Sequence, residues 1–350
     1  MRRMVILTNG VTNVGTAKTA VNLIRYKPEE VVAILDPVNA GKTSGDLFGL
    51  GSTPIISNLD QAPDANVIAI GIAPAGGKLP QPMRTAILEG ISRGMEVQSG
   101  LHQFLSDDPE IAEAARRHNV RVFDVRKNTE RDVAHRKDIN EKCLRVHTVG
   151  HDCNVGKMVV SLELAIALKK QGRDAKFVAT GQTGIMIEGD GCPVDAVVVD
   201  FINGAAEKLV LANQHHEIML VEGQGSIFHP RYSAVTLGLL HGCIPHALIL
   251  CYEMGRETVY GMDHVKLPTL RQFKELYETM ANIQRPCKVI GIGINGRKFS
   301  DAQVNEERKR VEDEFQLPAA DILRHGPDAL TNAILDFEAS KARVTPAEGY

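Results

Sequence analysis

The stretch Gly150-His151-Asp152-Cys153-Asn154-Val155-Gly156-Lys157-Met158 constrains the fold more than any other part of the chain. An apolar run, Cys143 to Val149, leads into it, and a helical pattern from Met158 to Lys170 leads out. Strand, glycine-bearing loop, lysine and helix is the arrangement that cradles phosphate. Loop N–H groups and the helix N-terminus point at the anion, and the lysine adds a mobile point charge. All nine residues, Gly150 to Met158, are therefore candidate ligand-binding positions. Two departures matter: the glycines are six positions apart where the ordinary Walker A loop has five, and Met158 stands where Ser or Thr would hold Mg²⁺. Phosphate binding is expected, and ATP hydrolysis is disfavoured. The plainer alternative is a strand-to-helix turn with a capping Asp152 and a chance lysine.

A chain of 350 residues accommodates two domains, each burying its own core. Hydrophobic content of 43% with 24% charged residues describes a soluble globular protein, and a net charge of −3 offers no basic field for nucleic acid or an anionic membrane. No apolar run approaches the roughly 20 residues a membrane span requires. The N-terminal run Met1 to Leu7, with two arginines and a few apolar residues, is too short for a signal peptide and breaks at Asn9-Gly10, so it reads as a first strand. The six cysteines are scattered with no C-x-x-C pair, which indicates neither a zinc knuckle nor a disulfide framework but small buried side chains in a reducing cytoplasm. Cys153 is the exception, because a helix N-terminus and Lys157 favour its thiolate; its plainer role is a small side chain that lets the loop fold. The expected partners are a small-molecule substrate and further copies of the chain.

Short β-branched runs alternate with amphipathic helical patterns throughout, the signature of α/β sheets with parallel strands. In the first half, strands are expected at Met4 to Thr8, Val31 to Leu35, Val67 to Ile72, Met95 to Val97 and Val120 to Val125. Helices are expected at Gly15 to Ile24, Gln81 to Arg93 and Pro109 to His118. The charged segment Arg126 to Lys142 reads as a linker or surface crossing. After the strand before Gly150, later strands are expected at Ala175 to Ala179, Ala196 to Val199, Ile218 to Val221, Ala247 to Cys251 and Lys288 to Ile294, with helices at Pro268 to Ala281 and Asp301 to Phe315. The domain expectation is 1–127, a linker at 128–142, and 143–350.

The run Ile218-Met219-Leu220-Val221-Glu222-Gly223-Gln224-Gly225-Ser226 is the natural partner of the phosphate loop. An apolar strand ending in an acid puts a carboxylate at the carboxyl edge of the sheet, where α/β proteins bind ligands. Glu222 can act there as a general base or hold Mg²⁺, and Gly223, Gln224 and Gly225 let backbone approach a ligand. Asp200 is a second candidate base, because it follows the expected strand Ala196 to Val199; helix capping is its alternative. The first half has its own glycine loop, Asn9-Gly10-Val11-Thr12-Asn13-Val14-Gly15-Thr16-Ala17-Lys18, with Asp36 ending the second strand, but it lacks the G-x-G-x-x-G spacing of a dinucleotide site. Gly71 to Lys78 is a further glycine-bearing strand exit. Histidines occur singly, without metal spacing; His151 and then His229 are the two that merit testing.

The pieces GHDCNVGKM and VEGQGS resemble dethiobiotin synthetase and its relatives, whose phosphate loop reads G-T-D-x-x-V-G-K-T and whose later motif reads V-E-G-A-G-G. The resemblance carries Gly150, Asp152, Val155, Gly156, Lys157 and Glu222 across, and it fails at Met158. Over nearly the whole chain, Ser99-Gly100-Leu101-His102 in the first half, followed by GHDCNVGKM, VDAVVVDF and VEGQGS, is similar to the D-glutamate N-acetyltransferase family, long catalogued as a domain of unknown function. That resemblance implies an α/β protein with an N-terminal Rossmann-like domain and a C-terminal P-loop NTPase-like three-layer domain with a mostly parallel sheet. It also implies acetyl transfer from acetyl-CoA to the amine of an acidic amino acid. The loss of the hydroxyl at Met158 then makes sense, since coenzyme A offers phosphates but needs no metal. Glu222 or Asp200 would be the base, and loop N–H groups or Lys157 the oxyanion donors. Two other readings are an ATP- and Mg²⁺-dependent ligase and a non-catalytic sensor of nucleotide or coenzyme A.

Overall fold

The computed structural model describes residues 1–13, 15–74 and 76–343. Val14 and Ala75, which fall in the two first-half glycine loops singled out above, and residues 344–350 of the expected second domain lie outside the described residues. The chain divides into two compact units, Met1–Asn128 with Gln182–Ala196, and Thr129–Gly181 with Val197–Tyr350.

The first unit is a parallel six-stranded sheet of β1 (Met4–Leu7), β2 (Val31–Leu35), β3 (Ile55–Ile56), β4 (Val67–Ile70), β5 (Glu96–Ser99) and β6 (Val122–Asp124). The spatial order is β3-β2-β1-β4-β5-β6, so the strand order reverses between β1 and β4. β1 and β4 are apolar at every position and buried throughout, as strands covered on both faces must be. Val5, Leu7, Ile68 and Ile70 pack with Met83, Ile87 and Ile91 of the helix Gln81–Ser92. The helix Pro109–His118 starts where Asp108 accepts from the N–H groups of Glu110 and Ile111. The first helix begins at Lys18 rather than Gly15.

The second unit holds β7 (Leu144–Gly150), β8 (Ala175–Val178), β9 (Ile218–Val221), β10 (Ala247–Glu253), the antiparallel ribbon β11 (Thr258–Val259) and β12 (Met262–Lys266), β13 (Lys288–Asn295) and β14 (Ala319–Ala320). Its main sheet is parallel in the order β14-β13-β10-β7-β9-β8, with β7 at the centre and buried along its whole length. Gly150 pairs with Cys251, His147 with Val221, and Glu253 with Asn295, so four strands deliver their carboxyl ends to one edge. Three of the flanking helices are Lys157–Lys170, Leu270–Asn282 and Asp301–Phe315. The second of these starts at Leu270 because Thr269 and Gln272 form a capping box, and Ser300 with Gln303 caps the third in the same way.

One expected strand is corrected. Residues 196–199 do not join a sheet: Val194–Ala196 and Val199–Phe201 are single 3₁₀ turns, and Val198 and Val199 are exposed. The preceding segment, Gln182–Ala196, packs with the first unit, where Asp195 pairs with Arg126 at 2.8 Å. β-branched composition favours a pleated, half-buried surface, and among the described residues no strand pairs with this segment. Residues 129–142 are held against the helix Ile202–Asn213, whose buried Glu207 accepts from the backbone N–H groups of His135 at 2.6 Å and Arg136 at 2.9 Å. Among the described residues, no helix is long and apolar enough to cross a membrane.

Candidate functional site

The strand β7 ends at Gly150, and the chain turns through 151–156 into the helix at Lys157. Gly156 is the N-cap with φ 102°, a conformation that excludes most side chains, and among the described residues no side chain caps this end of the helix. The first N–H groups of a fourteen-residue helix are thus presented at the carboxyl edge of the sheet, the ordinary setting for an anion.

Lys157 is buried, and its Nζ donates to the carbonyl oxygens of Asp152 at 2.8 Å and Gly225 at 2.7 Å. Burial pulls its pKa down from the usual lysine range. The lysine therefore ties the loop to the VEGQGS turn, the two motifs whose pairing the sequence suggests. Gly223 is required for that approach, since a Cβ there would lie 1.8 Å from the Thr148 carbonyl oxygen and 2.9 Å from Lys157 Cδ. Glu222 is buried at the end of β9, and its Oε2 accepts from the N–H groups of Thr180 at 2.9 Å and Gly181 at 3.1 Å. Gln224 donates through Nε2 to Thr180 Oγ1 at 3.2 Å. Val155 is buried in the loop, whereas Asn154 and Met158 are half-buried.

Asp152 is fully buried. Its Oδ1 accepts from the Cys153 N–H at 2.7 Å, and its Oδ2 from Arg256 Nη1 at 3.0 Å and the Tyr260 N–H at 2.7 Å. Arg256 also donates to the Cys153 carbonyl oxygen at 2.7 Å and pairs with Glu253 at the end of β10. Glu253, itself buried, receives Arg297 and Lys298 as well, at 2.9 and 2.6 Å. His229 Nε2 stands 3.7 Å from Asp152 Oδ1. The Cys153 sulfur, an Asp152 oxygen and a His229 ring nitrogen all lie within 4.8 Å of one another.

Other expected positions turn out differently. The His151 ring is buried edge-on to Tyr252 and Phe273, 6.0 Å from each, and desolvation pushes its pKa down to about 3, so it packs as a neutral ring. Asp200 is exposed on the 3₁₀ turn Val199–Phe201 and follows no strand, which removes the reason for choosing it as a base. In the first unit, Asp36 is buried and accepts from Thr8 Oγ1 at 2.9 Å and the N–H groups of Val38 and Asn39 at 3.1 and 3.3 Å. Arg256 and Tyr260 were not legible in the sequence. They follow Asp152 by 104 and 108 positions, and the ribbon that carries Tyr260 has no charge pattern to mark it.

Residues 124–331 match the family model described as Domain of unknown function (DUF1611_C) P-loop domain, and residues 37–128 match the DUF1611_N Rossmann-like domain. A curated relative from Tritonibacter scottomollicae, named D-glutamate N-acetyltransferase, is 36% identical over 91% of this chain and 94% of its own length. A second, of the same name and from a Pseudoalteromonas species, is 39% identical over 76% of this chain and 80% of its own. The crystal structure of a DUF1611 family protein from Anabaena variabilis superimposes with a TM-score of 0.91 at 35% identity, covering 96% of this chain and 100% of that one. With a Rossmann-like first half, a P-loop second half and curated relatives matched over 91% and 76% of its length, the chain belongs to the DUF1611 family, and both of those relatives carry the name D-glutamate N-acetyltransferase.

Proposed function

We propose that the chain is an N-acetyltransferase that moves the acetyl group of acetyl-CoA to the amine of an acidic amino acid such as D-glutamate. The name shared by both curated relatives supports the reaction. The observation that carries the coenzyme's part is the uncapped helix N-terminus beside buried Lys157, a cradle for phosphate with a methionine at the position of the metal-binding hydroxyl. Among the described residues, two of the lysine's three N–H groups go to carbonyls, which leaves the third for an anion.

In this reading Gly150 to Met158 hold the coenzyme phosphates, with Gly223, Gln224 and Gly225 against them. Glu222 takes the amine proton. ATP and Mg²⁺ enter only in the ligase alternative, for which Met158 supplies no hydroxyl.

The test follows coenzyme A release as free thiol, with and without D-glutamate. Release that D-glutamate stimulates, with N-acetylglutamate formed in equal amount, is the expected result. Absence of release with every acidic amino acid of either hand sinks the reading, and phosphate release from ATP and Mg²⁺ would replace it. Coenzyme A at about 100 times its dissociation constant should stabilise the protein by roughly 2.7 kcal/mol, and Lys157→Ala should remove that gain.

A further inference from the structure

Three cations converge on one carboxylate beside the phosphate loop. Glu253 ends β10 and is 1% exposed. Arg256 pairs with it, and Arg297 and Lys298, from the turn after β13, stand 2.9 and 2.6 Å from its oxygens. Burial works against its charge, yet Lys298, Arg256 and Arg297 hold its pKa below the usual carboxylate range. Asp152 is the other acid of this network and shares Arg256, while Lys157 acts on both of them. Four cations thus face two acids, and the network carries positive charge in excess of what its own acids neutralise.

That excess faces outward. Arg297 and Lys298 keep 36% and 64% of their side chains exposed, whereas Arg256 is nearly buried. Arg297 donates to Glu253 through Nη2, and among the described residues its Nε and Nη1 are left for a second acceptor. Lys298 likewise spends one contact on Glu253 out of three N–H groups. The end of β13 also stands beside the helix N-terminus, since a Cβ on Gly156 would lie 3.9 Å from Asn295 Nδ2. A ligand whose first anionic group sits in the loop therefore finds cations for a second one next to it.

The strand order decides which anion this is. β10 and β13 lie on one side of β7, and β9, which carries Glu222 at its end, lies on the other. Three strand spacings separate β9 from β13, roughly 14 Å. An acidic amino acid whose amine must reach Glu222 is shorter than that, so the cations suit the coenzyme and not the acceptor. A phosphate monoester brings between one and two negative charges near neutral pH, and it pairs well with guanidinium and ammonium groups. We propose that Arg297 and Lys298 bind the 3′-phosphate of coenzyme A and select acetyl-CoA over its dephospho form, an inference that rests on the acetyl-transfer reading above. The diphosphate then lies at the helix N-terminus, between these cations and Glu222, and the acyl arm runs toward β9.

The experiment compares acetyl-CoA with acetyl-dephospho-CoA as donors to D-glutamate, following thiol release by the full chain. It is repeated with Arg297→Ala, Lys298→Ala and the two combined. The wild type should prefer acetyl-CoA in kcat/KM by roughly a hundredfold, about tenfold for each charged contact. Each single variant should keep about a tenfold preference, and the combined variant should show almost none. Lys298→Arg, which retains the charge, should keep the wild-type preference. Calorimetry of coenzyme A against dephospho-coenzyme A should give the same ranking without turnover. A wild type that uses both donors equally overturns the proposal and leaves the acetyl-transfer reading standing. So does an equal loss with both donors in the combined variant, which would assign the two side chains to holding Glu253. A raised KM for D-glutamate with the donor preference intact overturns it as well, because the cations would then serve the acceptor. A wild type that releases no thiol from either donor with any acidic amino acid overturns both.

Discussion

Two glycine-bearing loops leave the carboxyl ends of parallel strands in this chain, one after β1 and one after β7, and they differ in what is buried beside them. Near the first, Asp36 spends its oxygens on Thr8, Val38 and Asn39, residues of its own strand ends and turn. Near the second, Asp152, Lys157, Arg256 and Glu253 form a buried network of both signs, and the helix that follows is uncapped by any side chain. A glycine after a strand gives backbone access in either case. Charge that can exchange a carbonyl for a ligand is what sets the second loop apart, and it is the ground for proposing a site there.

The comparison breaks if the first loop matters as much to catalysis as the second. Lys157→Ala should lower kcat/KM for acetyl-CoA by roughly a hundredfold or more, as loss of a charged donor at a phosphate does. Asp36→Asn, measured by the same initial rates, should stay within about threefold. A large loss from Asp36→Asn would redraw the contrast.

Next in size is stability. Arg256→Ala leaves Asp152 and Glu253 buried with less compensation and should cost about 3–5 kcal/mol in urea denaturation. Asp36→Ala strands one hydroxyl and backbone N–H groups, worth about 1–3 kcal/mol. A smaller effect at Arg256 than at Asp36 would mean that the network contributes little to folding.

Acid sharpens the same contrast. Desolvation holds His151 at about 3 and His147 at about 4, below the ordinary 6.5, so in that interval the unfolded chain binds more protons than the folded one. Stability contributed by these rings is present above pH 6.5 and is lost as pH falls toward 3. His151→Phe should flatten the fall in melting temperature over this range, and an unchanged slope would assign the acid sensitivity elsewhere. The smallest effect belongs to Lys298→Ala, which removes an exposed partner of Glu253 and should change stability by less than about 1 kcal/mol.

Legibility in the sequence followed locality. β7, its loop and the helix after it are contiguous, and their apolar run, glycines and lysine announce them. The pairing of Lys157 with the VEGQGS turn was also readable, because both leave the ends of apolar strands. Arg256 and Tyr260 reach Asp152 from a ribbon after β10, and no spacing rule connects positions so far apart. Val197 to Val199 misled by composition, since β-branched residues describe a surface that fits a sheet, and the chain there turns through two 3₁₀ bends instead.

The grip of Glu207 on the His135 and Arg136 amides has a practical outcome for anyone shortening this protein. A chain begun at Cys143 would strip those two donors from an acid that is 3% exposed and uncover the groove where Gly204 meets the Asp132 carbonyl. A chain begun at Thr129 would retain the cover, although it looks in sequence like dispensable charged spacer.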